Sequence, residues 1–449
     1  MSLVLVSQLV VLLAAIAIGA RAGGVGMGLW GGVGLTVLVF GFGTAPGGIP
    51  GEVLLIILTV IMAASAMEAA GGIDFLVLVA AGIIRRHPRQ VTIIAPLVAY
   101  VFTFLAGTGH IFYPLLPVIY EVAMKGRVRP ERPMAVATIA SQQAVTASPV
   151  SAATAAMIAI LGSKGVGLVK ILAICVPSTL TGIIVAALIQ TRIGVELDQD
   201  PEYLRRVAAG EVEGPEQATS EELGAAAVAT ALPRGAALSA WLFLAGVFVV
   251  VCCGLFPVLR RVRTAAEPAT ISMPMTIAMV MLGLAALMLL FTGASAEQIV
   301  KTKTCRAGVT AVIGILGLAW LGDTFIDANH DTIIGGLSRM AEAYPSLFAV
   351  GLFVTSMLLY SQAATAQTLM PLGLHLGVSP AALAGMYPAV NGYFFIPTYG
   401  TLIAAVNFDR SGTTRIGKYV LNHSFMIPGL VSTTVAVTTG VLIAKLMGG

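Results

Sequence analysis

Long apolar segments joined by short polar loops make up most of this chain. These segments occupy 2–20, 25–42, 53–84, 90–106, 111–123, 134–163, 165–190, 236–259, 269–292, 307–338, 346–360, 366–376, 379–406 and 419–446. About 20 apolar residues in a helix are enough to cross the hydrocarbon core of a bilayer. The pattern therefore predicts an all-α polytopic membrane protein.

One apolar stretch is interrupted by a short polar segment that runs from Gly107 to His110. A broken turn at membrane depth persists only where it is buried in protein or lines a wet cavity, because unpaired backbone groups are costly in hydrocarbon. Basic residues cluster at both outer ends, in 85–89 and 125–132, which places both ends on the cytoplasmic side. We therefore predict a re-entrant helical hairpin over 90–123.

The next apolar segment, 134–163, contains a polar centre around Ser148-Pro149. A proline inside a helix removes a hydrogen bond and clashes with the preceding turn. Ser148 is a good N-cap residue, and proline is favoured at the first helical position. The pattern predicts a broken helix whose second half begins at this dipeptide.

A long hydrophilic stretch, 191–235, divides the chain into residues 1–190 and 236–449 and reads as a cytoplasmic linker. The second part repeats the order of the first, with a hairpin over 346–376 and a broken helix over 379–406. The matching features lie roughly 250 residues apart, as an internal duplication would place them.

The predicted repeats are inverted, because each contributes an odd number of membrane crossings. Counting crossings gives about ten transmembrane helices plus two re-entrant hairpins in two inverted repeats, with both termini outside the cytoplasm. Secondary transporters have this architecture, and their sites lie near the midplane between the repeats.

The amino-acid composition argues against several other classes of function. The chain is 57% hydrophobic and only 10% charged, too few charged residues for a soluble protein of 449 residues. Its net charge of +4 lies mostly in short loops, which predicts no nucleic-acid partner. The four cysteines show no metal-ligand spacing, and we expect neither a metal nor another cofactor.

The broken segments predict an anion site. Four helix N-termini would converge at the midplane, after Gly109, Ser148-Pro149, Ser361-Gln362 and Ile396-Pro397. Each carries roughly half a positive charge, and together they sum to about +2, which suits a dianion with two carboxylates. The candidate binding residues are Gly107, Thr108, Gly109, His110, Ser141, Gln142, Thr146, Ser148, Pro149, Ser151, Ser361, Gln362, Thr365, Asn391, Pro397, Thr398 and Thr401.

Other interpretations of these residues stay open at this level. Carbonyl ends facing the same cavity could hold cations, and the hydroxyls could instead satisfy backbone groups freed at the breaks. Glu68 and Asp323 occupy matching positions in the two repeats, where we favour structural anchoring. An intramembrane Ser/His hydrolase is disfavoured because no Gly-x-Ser-x-Gly or His-Glu-x-x-His motif occurs. An ion channel is disfavoured because no repeated filter or ring of charges occurs.

The chain resembles the Dcu family of anaerobic C4-dicarboxylate transporters, most closely its A-type members. The resemblance rests on the segments Gly19–Gly24, Ile84–Pro88, Ala106–His110, Arg132-Pro133, Thr146–Ser151, Leu316–Phe325, Leu359–Ala366, Ile396–Tyr399 and Gly412–Lys418. It implies a bacterial inner-membrane exchanger of fumarate, succinate, malate and aspartate. It also implies a tie to the ion-transporter superfamily of elevator carriers, for which analogy predicts a homodimer.

Two transport hypotheses follow. In the leading one, C4-dicarboxylates are exchanged across the lipid bilayer by alternating access, with both termini periplasmic and without a coupling ion. The alternative is a sodium- or proton-coupled dicarboxylate uptake carrier. Neither hypothesis makes the protein an enzyme.

Overall fold

The computed structural model describes residues 3–22, 25–49, 51–212, 232–262, 269–329, 345–359, 361–397, 399–417 and 421–447. Within these ranges the chain is almost wholly helical. The strands found there are β1 (Arg261–Val262) and β2 (Ala269–Thr270), which pair antiparallel with Arg261 opposite Thr270.

The first half contains nine helices in the described residues, and a tenth follows in the linker. They are α1 (Leu3–Ala22), α2 (Gly26–Thr36), α3 (Gly51–Ala69), α4 (Gly72–Arg85), α5 (Val91–Ala106), α6 (Leu115–Lys125), α7 (Glu131–Ala147), α8 (Ala152–Leu161), α9 (Leu168–Gln190) and α10 (Pro201–Ala208).

The described part of the second half contains nine more. They are α11 (Ala236–Leu255), α12 (Met273–Thr292), α13 (Ala296–Lys301), α14 (Lys303–Ala328), α15 (Pro345–Leu359), α16 (Gln362–His375), α17 (Pro380–Met386), α18 (Gly400–Phe408) and α19 (Met426–Leu446). A 3-10 stretch, Tyr387–Phe394, connects α17 to the break before α18.

Seven helical segments in the described residues are long and apolar enough to cross a membrane, and α3 with α4 forms an eighth candidate that is bent by 72°. Three shorter apolar helices accompany them, Leu3–Gly19, Gly28–Gly41 and Leu347–Met357. The predicted all-helical, multi-pass fold is confirmed. The inverted relation of the halves stays a prediction.

The outer surface of these helices is apolar, as a lipid-facing surface requires. Phe40 is 84% exposed and Leu290 is 73% exposed. Exposing such large apolar side chains costs free energy in water but not in hydrocarbon. The interior is one large hydrophobic cluster that draws residues from α3 through to α19. Within it, α16 of the second half packs against α8 of the first, so the two halves interlock.

The predicted interruptions occur in both halves, with corrections to where the helices begin. The first hairpin consists of α5, a 3-10 turn (Gly109–Phe112) and α6. The predicted helix start immediately after Gly109 is therefore wrong, because α6 begins only at Leu115. The prediction that Ser148-Pro149 opens the second half-helix is wrong. Ser148 ends α7 with extended backbone, because a residue before proline avoids the helical region, and α8 begins only after Ser151.

The linker is not simply solvated, because its described part packs on the start of α7. Arg129 pairs with Glu131 at 2.7 Å and with Asp200 at 2.9 Å, and Arg132 pairs with Glu196 at 3.0 Å. We call these five residues the loop-side cluster. The side chains of Arg129 and Arg132 are each only 8% exposed.

The loop after α18 joins the same end of the molecule. Ser424 donates its hydroxyl to Glu131 at 2.6 Å, and the backbone N–H of Glu131 donates to the Thr413 hydroxyl at 3.1 Å. The buried Asp409 carboxylate holds this loop by accepting from the Thr413 hydroxyl and the Thr414 N–H. The start of α7, the linker and this loop therefore form one connected unit.

Candidate functional site

A cavity of about 170 Å³ lies where the hairpin tip, the α7–α8 break and the starts of α16 and α18 meet. It draws on both halves of the chain. The residues that line it are Gly107, Thr108, Gly109, Tyr113, Gln142, Val145, Ala152, Ala153, Ser361, Gln362, Ala363, Tyr399 and Thr401.

Several lining residues are the first residues of helices. Ala152 and Ala153 open α8, Gln362 and Ala363 open α16, and Thr401 is the second residue of α18. The first N–H groups of a helix have no intrahelical partner and carry roughly half a positive charge. Three helix N-termini, rather than the four predicted, therefore border this cavity.

Local sequence determines where α8 and α16 begin. Ser151 accepts a hydrogen bond from the Thr154 N–H at 3.1 Å, and Ser361 accepts one from the Ala364 N–H at 3.2 Å. Each serine satisfies one donor of the first turn and leaves earlier ones uncapped. The side chain of Tyr399, which precedes α18, makes no such cap.

The tip of the first hairpin sits directly on the breaks. Gly107 has φ of +70°, and a Cβ there would lie 2.8 Å from the Val150 carbonyl oxygen. A Cβ on Gly109 would lie 2.6 Å from Nε2 of Gln142. Side chains at these positions would push the tip away from α7 and from the break that follows it, so the two glycines set the size of the cavity.

Side-chain amides, all buried except that of Gln362, connect the two halves at the cavity wall and behind it. Gln362 Nε2 donates to Gln142 Oε1 at 3.1 Å and to Asn391 Oδ1 at 3.3 Å. Asn391 Nδ2 donates to Gln143 Oε1 at 3.2 Å, and Gln143 Nε2 donates to the Thr433 hydroxyl at 3.1 Å. We call these five residues the amide chain. It fixes the orientation of Gln142 and Gln362 in the cavity wall.

The described part of the cavity wall includes polar side chains but no charged one. None of the described residues that line it is acidic or basic. The Thr401 hydroxyl is buried and has no hydrogen-bond partner among the described residues. In those residues no group of three His, Cys, Asp or Glu side chains could hold a metal ion. The wall therefore offers hydroxyl, amide and backbone donors to a ligand.

Seven of the predicted site residues line the cavity, namely Gly107, Thr108, Gly109, Gln142, Ser361, Gln362 and Thr401. Asn391 lies behind it in the amide chain, and Ser151 caps α8. Pro149 and Pro397 lie in the two breaks. The backbone of His110 lies in the 3-10 turn, and Thr398 is outside the described residues.

The other four predicted hydroxyls bond nearby backbone. Ser141 donates to the Thr138 carbonyl, Thr146 to that of Gln143, and Thr365 to that of Ser361. Ser148 accepts from the Val150 N–H at 3.3 Å. These four hydroxyls make local hydrogen bonds to backbone groups, and the Thr146 hydroxyl also accepts from Asn391 Nδ2 at 3.4 Å.

Six residues that line the cavity were not among the predicted site residues, namely Tyr113, Val145, Ala152, Ala153, Ala363 and Tyr399. Tyr113 lies three residues after the polar segment Gly107–His110. A Cβ on Gly400 would lie 2.6 Å from the hydroxyl oxygen of Tyr113. Ala152, Ala153 and Ala363 could have been found from their positions just after the capping residues Ser151 and Ser361. The first residues of a helix contribute backbone N–H groups to a site, whatever their side chains.

The Glu68 carboxylate accepts from the backbone N–H groups of Lys303 at 3.2 Å and Thr304 at 2.9 Å. It thus caps the N-terminus of α14, which supports the anchoring role predicted for it. Asp323 lies half-buried on the same helix.

The fold and this cavity define a secondary transporter, a multi-span membrane protein with a small polar site between interrupted helices. Residues 4–448 match the family model described as anaerobic C4-dicarboxylate membrane transporter. The chain belongs to this family, which is a family of transporters and not of enzymes.

Individual relatives agree over nearly the full length. The C4-dicarboxylate transporter DcuA of Wolinella succinogenes is 42% identical, covering 99% of this chain and 100% of the relative. The DcuA protein of Escherichia coli strain K12 is 41% identical over the same shares. The anaerobic C4-dicarboxylate transporter DcuB of Escherichia coli O6:H1 is 37% identical, covering 98% of each chain. The predicted resemblance to A-type members is confirmed.

A solved structure supports the fold alone. The crystal structure of the Alcanivorax borkumensis YdaH transporter, described as having an unusual topology, matches with a TM-score of 0.53 at 16% identity. The match covers 92% of this chain and 88% of that one.

Proposed function

We propose that this protein exchanges C4-dicarboxylates across the bacterial inner membrane by alternating access. Fumarate, succinate, malate and aspartate are the proposed substrates. The observation that carries this proposal is the cavity wall, where the first residues of α8, α16 and α18 meet without a charged side chain. Such a wall attracts anions through backbone N–H groups.

The arrangement of donors suits a ligand with two carboxylates. The starts of α8 and α16 contribute backbone from the two halves of the chain, and Thr401 adds a hydroxyl from α18. Three N-termini sum to about +1.5, which favours a dianion over a neutral molecule. The amides of Gln142 and Gln362 provide further N–H donors when the ligand reorders their mutual bond.

The moving unit in this proposal comprises the two hairpins, the two broken helices and α19, to which Thr433 of the amide chain belongs. The amide chain joins α7, α16, the 3-10 stretch after α17 and α19 behind the cavity. Elements joined by buried hydrogen bonds move together more easily than apart, because separation would leave polar groups unpaired. The remaining helices form the scaffold, and the halves are proposed to be inverted repeats.

The proposal places both termini in the periplasm and the linker in the cytoplasm. Single cysteines at Ala45 and Gly448, on a cysteine-free background, should react with a membrane-impermeant maleimide in intact cells. Protection of both until the cells are opened would contradict this orientation. The proposed homodimer is tested separately, by the mass of the detergent-solubilised protein measured with light scattering.

Counterflow in proteoliposomes tests the exchange. Vesicles loaded with unlabelled succinate should take up labelled fumarate rapidly, while empty vesicles should not, and sodium or proton gradients should have no effect. Aspartate should compete, and citrate, which is larger than the proposed substrates, serves as the negative comparison. Full uptake into empty vesicles driven by a sodium or proton gradient would replace the exchanger with the coupled uptake carrier.

A further inference from the structure

A second, larger concavity shares no lining residue with the substrate cavity. It has a volume of about 870 Å³ and is bounded by α15, α17, the 3-10 stretch that follows α17, and α19. We call it the lateral groove. Along α19 its lining runs from Leu430 to Lys445, which is about 22 Å at 1.5 Å per residue.

The groove opens onto the apolar outer surface. Val350 and Leu442 on its wall are 55% and 57% exposed, and both belong to apolar helices of a membrane protein. The hydrocarbon core is about 30 Å thick, so one leaflet contributes about 15 Å and the groove is longer than that. Its length and position therefore suit acyl chains.

Charge distinguishes one end of the groove. Lys445, in the last turn of α19, is the one basic residue among the described residues that line it, and none of those residues is acidic. A lysine near the end of a transmembrane helix extends to the interface, where it attracts anionic lipid headgroups. An apolar groove with a cation at one end is complementary to an anionic phospholipid.

A second copy of the chain fits this surface less well. A two-fold axis along the membrane normal would place both Lys445 side chains at the same depth. An isologous interface pairs the same patch with itself, and the described lining offers no carboxylate to neutralise two lysines. Such an interface would also need a ridge to fill the groove, whereas both copies would present a concavity.

The wall of the groove also belongs to the amide chain. Thr433 lines the groove, and its hydroxyl accepts the hydrogen bond from Gln143 at 3.1 Å. Gln143 is connected through Asn391 to Gln362 in the wall of the substrate cavity. An occupant of the groove would thus contact Thr433, which two side chains, Gln143 and Asn391, connect to Gln362.

We propose that the lateral groove binds an anionic phospholipid, with its acyl chains along α19 and its headgroup at Lys445. The lipid is recognised by the shape of an apolar groove and by one charge. Binding is expected to require no transport activity.

Native mass spectrometry of the full chain tests this proposal. The protein, purified in detergent, is equilibrated with equal amounts of phosphatidylglycerol and phosphatidylcholine, and the retained lipids are counted. The wild type should retain phosphatidylglycerol preferentially. Lys445→Gln should lower that retention by about fivefold, the change expected from one basic residue at an anionic headgroup.

A control variant and two alternative groove-filling variants complete the experiment. Lys164→Gln is the matched control, because Lys164 is an exposed lysine that does not line the groove, and it should retain the wild-type preference. Ala349→Phe should fill the groove and reduce retention of both lipids. If that variant does not fold, Ala382→Phe fills the groove from α17 instead, and gel filtration verifies the fold of each.

Two results would overturn the proposal. Equal retention of both lipids, unchanged in Lys445→Gln, would show a nonspecific apolar surface. A dimer that Ala349→Phe dissociates, with lipid retention unaltered, would show that a second copy occupies the groove. Both readouts are independent of transport, so they stand even if the exchange proposal fails.

Discussion

The substrate cavity and the loop-side cluster are both polar regions inside an apolar protein, but they use charge in opposite ways. The loop-side cluster buries Arg129 and Arg132 and pairs them with Glu131, Asp200 and Glu196. The cavity wall has no charged residue among those described. The two buried arginines of this cluster thus lie where carboxylates of the protein neutralise them.

This contrast suggests why a carrier would bind an anion with helix ends. A buried arginine that loses its partner is left as an unpaired charge, at a cost of several kcal/mol. A carrier must empty its site in every cycle, and uncharged donors tolerate an empty cavity better than an arginine does. We therefore interpret the cavity as the binding site and the loop-side cluster as an ion-pair network that stabilises the fold.

The largest effect is expected when the cavity is filled. Gly109→Leu would place its side chain against Nε2 of Gln142, since even a Cβ there lies at 2.6 Å. Counterflow of fumarate should fall at least about 100-fold, because the ligand and the side chain compete for one small volume. Gly162→Leu is the control, as a Cβ at Gly162 meets nothing within 4 Å. Normal counterflow in Gly109→Leu would exclude this cavity as the site.

The loop-side cluster should respond in stability rather than in substrate affinity. Arg129→Gln leaves Glu131 and Asp200 without their buried partner and should lower the free energy of unfolding by about 3 kcal/mol. Thermal unfolding in detergent measures this. Arg205→Gln, at an exposed ion pair that solvent screens, should leave the free energy of unfolding nearly unchanged.

The folded fraction of the Arg129→Gln protein should have an unchanged KM for fumarate. A raised KM with normal stability would instead make this arginine part of the substrate path, and the contrast between the two regions would fail.

A charge placed in the cavity should weaken binding without unfolding the protein. Gln362→Glu sets a carboxylate beside the proposed dianion, and the KM for fumarate should rise about tenfold. Gln362→Leu, which removes the amide but adds no charge, should raise it about threefold. If both variants behave alike, electrostatic repulsion does not matter there.

The smallest effect is expected at Thr401. Thr401→Val removes a buried hydroxyl that has no partner among the described residues, so stability should not fall, while the KM should rise about threefold. Thr304→Val removes a comparable hydroxyl far from the cavity and is the control. An unchanged KM in Thr401→Val would remove this hydroxyl from the binding set.

Sequence alone located the interruptions because glycine, proline and serine clustered within an apolar run favour a broken helix over a continuous one. Ser361 was placed at the start of a helix and does cap one. The first break was misjudged by a few residues. Ser148 and Ser151 are both acceptable caps, and the extended backbone imposed before Pro149 decides between them.

What sequence could not provide was long-range contact. Tyr113 and Tyr399 come from different halves, and only the tertiary fold brings both to one cavity. The pairing of Arg129 with Asp200 likewise joins residues separated along the chain by the first broken helix and α9. Local pattern contains no information on such pairs, because helix propensity and hydrophobic period describe neighbours along the chain.

The most direct test of the central claim is competition by ligands that differ only in charge. Succinate, its monoamide and its diamide are compared as inhibitors of labelled fumarate counterflow at neutral pH. Binding by convergent helix N-termini predicts that each lost carboxylate weakens inhibition by about tenfold. Equal inhibition by all three compounds would contradict recognition of a dianion by the ends of α8, α16 and α18.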